Sequence, residues 1–314
     1  MKLLDRLPIV EYRALQRVTS SPQYRDAQGH YRGQADRAVA DVSTAITASL
    51  SRASFGIAHA LCLRGSFARH SPDPFSDLDI ALIADSTSQS FTEMLGDLLR
   101  YATGRRVSVR RCSPNDINGP NVLSDWLAIP TLAFIGGQPA VYDEFMAIAK
   151  STLTRVSFRD LLNMLLADPL RGRNWCHPES PHFANMKRGC GGSLEAAFIL
   201  LLDFWRTVRN DFRSLLELDL FSHARQFCEY LAIAKDHIRR RMGAAVETFH
   251  VRHTDPDAVS ADTRYATLFL PSVIERIAAE HHTCLLHIIA LLAKETGDDD
   301  FVTTAIVPKL RSIQ

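Results

Sequence analysis

Residues 34–53, "QADRAVADVSTAITASLSRA", bring alanine, valine and isoleucine round at helical spacing, which predicts a helix. The pattern then changes. "GIAHALCLR" (56–64) is a short continuous apolar run and predicts a buried strand. "DLDIALIA" (77–84) predicts a second strand, the neighbour of the first. "FTEMLGDLLRYATG" (91–104) sets Phe91, Met94, Leu95, Leu98 and Leu99 on one helical face and stops at Gly104. "RRVSVRRC" (105–112) alternates as a half-buried strand does.

Past about residue 121 the strand signals fade. "VLSDWLAIPTLAFIGG" (122–137) reads as helix with Pro130 as a kink or break. Further helices are predicted at 140–153, 157–170, 193–212, roughly 222–242, and 272–294, the last stopped near Gly297. The 193–212 helix is apolar on most sides and is expected to be central and buried. Between them, "RGRNWCHPESPHFANMKRGCGG" (171–192) is a long irregular stretch, and such stretches favour a functional role. The chain is therefore expected to be an N-terminal α/β part (1–140) followed by an all-helical part (141–314).

Composition changes this picture little. The 314 residues suffice for one large or two ordinary domains, and a 46% hydrophobic fraction provides a sizeable core. The 36 basic and 35 acidic residues nearly cancel, which gives no reason to expect a membrane surface and argues against a nucleic-acid partner. Six cysteines include no CxxC pair, so neither a zinc site nor a disulfide framework is indicated. The N-terminal residues lack the apolar core of a signal peptide, and no apolar run nears the ~20 residues that span a bilayer. A soluble cytoplasmic protein is expected.

The candidate chemistry lies between the first two strands, in "LCLRGSFARHSPDPFSDLDIALIAD" (61–85). Gly65 permits a close backbone approach, Ser66 adds a hydroxyl, and N–H groups in such a turn suit phosphate oxygens. Asp77 and Asp79 then stand one residue apart at the start of a strand that otherwise reads as buried. On a strand they share a face, about 6–7 Å apart. Adjacent carboxylates repel, and a divalent cation relieves the repulsion. Mg²⁺ is commonly held by one or two carboxylates together with substrate phosphates. These parts suit metal-assisted phosphoryl chemistry on a nucleoside triphosphate.

The same stretch resembles the nucleotidyltransferase superfamily built on the polymerase-β palm. It is most similar to the nucleotidyltransferase half of the uridylyltransferases that modify the PII signalling protein. The similarity is carried by Gly65, Ser66, Phe67, Ala68 and Arg69, then by Ser76, Asp77, Leu78 and Asp79. "SVRRC" (108–112), 126–145, and "FANMKRGCGGSLEAAF" (183–198) resemble further segments of that family in the same order, the last through Asn185, Lys187, Gly189, Gly191 and Gly192. The resemblance covers about residues 30–200. The family's Leu-Arg-Asp after the double glycine is Ser193-Leu194-Glu195 here, and the strand 105–111 offers no third carboxylate.

The resemblance implies a palm with a small mixed sheet followed by helices. It implies transfer of a nucleoside monophosphate from ATP, UTP or another NTP to an acceptor hydroxyl, on a protein side chain such as tyrosine or on a small molecule. Asp77 and Asp79 are the expected catalytic and metal-binding pair, for Mg²⁺ or Mn²⁺. Gly65, Ser66, Arg69, Ser76, Lys187 and Arg188 are the expected nucleotide contacts. Two other readings stay open: a catalytically silent nucleotide-binding regulatory module, and an RNA-end nucleotidyltransferase. His281, His282 and His287, on a long apolar helix, are expected to be packing or surface residues rather than metal ligands.

Overall fold

The computed structural model describes residues 13–50, 58–73, 75–84, 89–113, 123–167, 193–209, 220–242 and 265–308. The chain divides into two compact units, His30–Arg155 and the combination of Met1–Gly29 with Val156–Gln314.

α2 (Pro22–Leu50) runs from residue 30 on in the His30–Arg155 unit and leads there towards β1 (Ala60–Leu63), a short α3 (Gly65–Ala68) and β2 (Leu78–Ile83). These are followed by α4 (Gln89–Thr103), β3 (Val107–Cys112), α5 (Leu123–Ala128), β4 (Ala133–Gly137) and α6 (Pro139–Arg155). The four strands form one sheet in the order β3-β2-β1-β4. β1 runs antiparallel to both β2 and β4, whereas β2 and β3 are parallel, so the sheet is mixed. With helices on most of the other described residues, this is an α+β fold with a small mixed sheet.

One face of the sheet carries Leu61, Leu63, Leu78, Ile80, Leu82 and Val107 against Val39, Val42 and Ile46 of α2 and Leu95 and Leu99 of α4. Each such side chain contributes roughly 1.5–3 kcal/mol when fully buried. Alternation turns Cys62, Ala81 and Ile83 to the opposite face, where α6 packs on β1, β2 and β4. Asp79 lies on that second face, at the end where β2 begins.

The strands and helices expected up to residue 112 are present. Met94 is the exception in α4: it is 52% exposed, whereas Leu95 and Leu99 are buried. Residue 94 sits at the border of the apolar stripe and misses the sheet. The expected helix over 122–137 is also corrected: helix stops at Ala128, a 3₁₀ turn covers Ile129–Thr131, and Ala133–Gly137 is the strand β4. Pro130 ends the helix, and β1 offers an edge on which "AFIGG" completes its backbone hydrogen bonds. Gly137 has φ 89° and a Cβ there would stand 2.4 Å from the His59 carbonyl oxygen, so only glycine fits that close approach.

The second unit is helical. It contains α1 (Arg13–Thr19), α7 (Phe158–Ala167), α8 (Ser193–Arg209), α9 (Leu220–Met242) and α10 (Pro271–Thr296), the last closed by Gly297 in the left-handed region. Ala196, Phe198, Ile199, Leu201, Leu202 and Trp205 of α8 are fully buried, as expected of a central helix. No described helix is long and apolar enough to cross a membrane.

Candidate functional site

β1 ends in Arg64, and the chain turns at once into the four residues of α3. Gly65 has φ 62°, in the left-handed region that glycine enters without strain. The missing side chain matters as much as the dihedral. A Cβ on Gly65 would stand 2.6 Å from Oδ2 of Asp79 and 3.5 Å from its Cγ. The Asp79 carboxylate therefore lies directly against the Gly-Ser turn. The backbone holds the two together, since the Arg64 N–H donates to the Asp79 carbonyl at 2.8 Å.

The turn is closed by its own backbone. The Ser71 N–H donates to the Ser66 carbonyl at 2.8 Å, and the Arg69 N–H donates to the Gly65 carbonyl at 3.3 Å. Ser66 is half-buried and Arg69 exposed. Phe67, between them, is fully buried in the sheet core and fixes the turn from below.

Asp77 stands exposed immediately before β2. The turn that delivers it is built on Asp73, a buried carboxylate that the sequence reading did not single out. Its Oδ1 accepts the Phe75 N–H at 2.8 Å, and its own N–H donates to the Ser76 hydroxyl oxygen at 2.9 Å. The Ser76 N–H returns a bond to the Asp73 carbonyl at 3.1 Å. Ser76 is thus buried within the turn that carries Asp77. An aspartate followed by proline in "SPDPFS" is a turn signal and was the available clue to Asp73.

Parallel pairing sets Ser108 of β3 beside Asp79 and puts Arg110 on the same face. β3 holds no acidic residue. Asp116 lies outside the described residues, and Asp125 falls in α5. Among the described residues, no group of three or more histidine, cysteine, aspartate or glutamate side chains is placed to hold a metal ion. Two oxygen-bearing carboxylates, one exposed and one against a glycine turn, are a donor set that fits Mg²⁺ completed by phosphate oxygens.

Of the expected site residues, Gly65, Ser66 and Arg69 lie on or beside the turn after β1, Ser76 and Asp77 lie on the turn before β2, and Asp79 lies in β2 with its carboxylate against Gly65. Lys187 and Arg188 lie outside the described residues. The helix after them, α8, carries in its first turn Glu195, fully buried, whose carboxylate meets Nδ1 of His282 at 2.9 Å. His281 is fully buried beside that pair in sequence, stacked on Phe227 with ring centroids 3.8 Å apart. Neither ring nitrogen of His281 has a hydrogen-bond partner among the described residues. Burial, with His223 and His282 nearby, lowers its pKa well below the ordinary value.

This gives a stability prediction. A histidine with a depressed folded-state pKa favours folding fully above the unfolded value of about 6.5. That contribution is lost as pH falls below it, towards the folded-state pKa. His281→Phe should keep the stack on Phe227 and stabilise the protein by about 1–3 kcal/mol at pH 7, since an unpartnered buried polar ring is removed. It should also flatten the fall in melting temperature between about pH 7 and 5. Thermal melts across that window check both; an unchanged pH slope contradicts the assignment.

No protein-family model and no curated protein matches this sequence.

Proposed function

We propose that the His30–Arg155 unit is a nucleotidyltransferase, transferring a nucleoside monophosphate from an NTP to an acceptor hydroxyl with release of pyrophosphate. The observation that carries the reading is the seating of the Asp79 carboxylate against Gly65. A phosphate-binding type of turn and a metal-binding type of carboxylate thereby share one place. Asp77, exposed and two residues away, completes the pair. The succession of β1, the Gly-Ser turn and β2, with the carboxylates at the start of β2 in a mixed sheet, also supports a polymerase-β-type palm.

In this reading Asp77 and Asp79 hold Mg²⁺. Held there, Mg²⁺ would supply positive charge to offset that of the triphosphate and of the pyrophosphate leaving group. The Gly65–Ala68 turn presents backbone N–H groups to phosphate oxygens, and the exposed Arg69 adds a charged donor. Asp73 and Ser76 act through the turn they stabilise. The acceptor hydroxyl gives up its proton to solvent as its oxygen bonds to the α-phosphorus, the bond to the bridging oxygen breaks, and pyrophosphate leaves with the electron pair.

A second reading is a nucleotide-binding module that does not transfer. Ser108 favours it, because an uncharged side chain stands beside Asp79 on the neighbouring strand. The deciding experiment offers each α-labelled NTP, with Mg²⁺, to the protein in cell lysate. Label on a protein or a small molecule is the expected result and identifies the acceptor class. Label on RNA ends assigns the acceptor to nucleic acid. Nucleotide binding without any labelled product supports the silent module and overturns transfer.

A further inference from the structure

We infer that Arg105 is a positioning residue that fixes Asp77 relative to the Gly65–Ala68 turn. The inference rests on the functional reading above for its consequence, and on geometry for its substance. Arg105 lies in the three-residue connection between α4 and β3. Its Nη1 donates to the Ser76 carbonyl at 3.2 Å. The next residue's carbonyl, that of Arg106, accepts the Leu78 N–H at 2.8 Å. The backbone on both sides of Asp77 is therefore tied to two adjacent residues.

The same guanidinium reaches the other half of the site. Its central carbon lies 5.0 Å from the ring centroid of Phe67, the buried residue of the Gly-Ser turn. One side chain thus contacts the turn that carries Asp77 and the turn that lies against Asp79. The connection is itself held in place: Gly104 has φ 64°, and its N–H donates to the Arg100 carbonyl at 2.9 Å at the end of α4. A planar guanidinium can stack on a ring and donate sideways at once, which an ammonium group cannot reproduce. The Asp77 side chain is exposed. Its place is set through these neighbours.

The test compares the wild type with Arg105→Ala and Arg105→Lys in the full chain. Hydrogen exchange is followed at 65–69 and 75–78, with β1 and residues 80–83 of β2 as the folding control. Binding of Mg²⁺ with non-hydrolysable ATP and UTP analogues is measured in parallel. Both variants should exchange faster at the two segments together while the strand core stays protected. Affinity for the analogues should fall by about 10-fold or more, the loss typical of removing a group that supports a ligand. Guanidinium ion at millimolar concentration should recover part of it in Arg105→Ala only. Should Arg105→Ala unfold, Arg105→Lys carries the test. Unchanged exchange at both segments in Arg105→Lys, or full recovery of binding by lysine, overturns the inference. Faster exchange in a protein whose wild type binds no ATP, UTP, GTP or CTP analogue leaves the clamp standing and sinks the nucleotide reading instead.

Discussion

Asp77→Asn and Asp79→Asn should each lower nucleotidyl transfer by at least about 100-fold, the scale seen when one charge-stabilising group is removed from a reacting centre. The fold should survive both. Asp77 is exposed, so an isosteric change of charge there is expected to alter stability by no more than about 0.5 kcal/mol. Asp79 is half-buried and its carboxylate abuts the Gly65 backbone, which leaves room for an amide of the same size. Turnover with labelled NTP and thermal melts on the same preparations check the pair. Full turnover in both variants means that the carboxylates hold no metal. A large loss of melting temperature in both means that they serve the fold.

The second large effect is expected at Gly65. Gly65→Ala forces a side chain into the left-handed region, which costs about 1–2 kcal/mol. It also sets a methyl group 2.6 Å from Oδ2 of Asp79, closer than non-bonded atoms approach, so the carboxylate must move. Transfer should fall about as far as in Asp79→Asn. Gly297→Ala is the control: φ is 75° there, and nothing lies within 4 Å of the added Cβ. That variant should lose similar stability and keep its activity. Equal activity in the two variants contradicts the seating of Asp79 on the glycine turn.

Much of the sheet unit is legible in the sequence because its elements announce themselves by period. "ALCL" is a continuous apolar run, "LDIALI" is apolar but for Asp79, and Leu95 and Leu99 mark the buried face of α4. β4 is not legible in this way. "AFIGG" is too short for a period, and it is a strand because β1 presents an unpaired edge, a fact about distant chain. The start of α2 at Pro22 is missed for a different reason. Tyr24, Ala27, Tyr31 and Ala35 are buried at helical spacing, yet Gly29 and Gly33 among them read as breakers.

The same contrast holds within the site. Gly65, Asp77 and Asp79 stand out because their chemistry is unusual for their position along the chain. The link from Arg105 to Ser76 spans 29 residues, and nothing in "GRRVSV" distinguishes it from an ordinary charged strand start. Glu195 and His282, 87 residues apart, are likewise joined only by folding.

The most direct test of the central claim is calorimetric binding of non-hydrolysable ATP, UTP, GTP and CTP analogues to the purified protein, with Mg²⁺ and with EDTA. At least one analogue should bind, affinity should fall when Mg²⁺ is removed, and Asp77→Asn and Asp79→Asn should abolish this metal dependence. Failure of all four analogues to bind, or binding indifferent to both the metal and the two carboxylates, would contradict the claim.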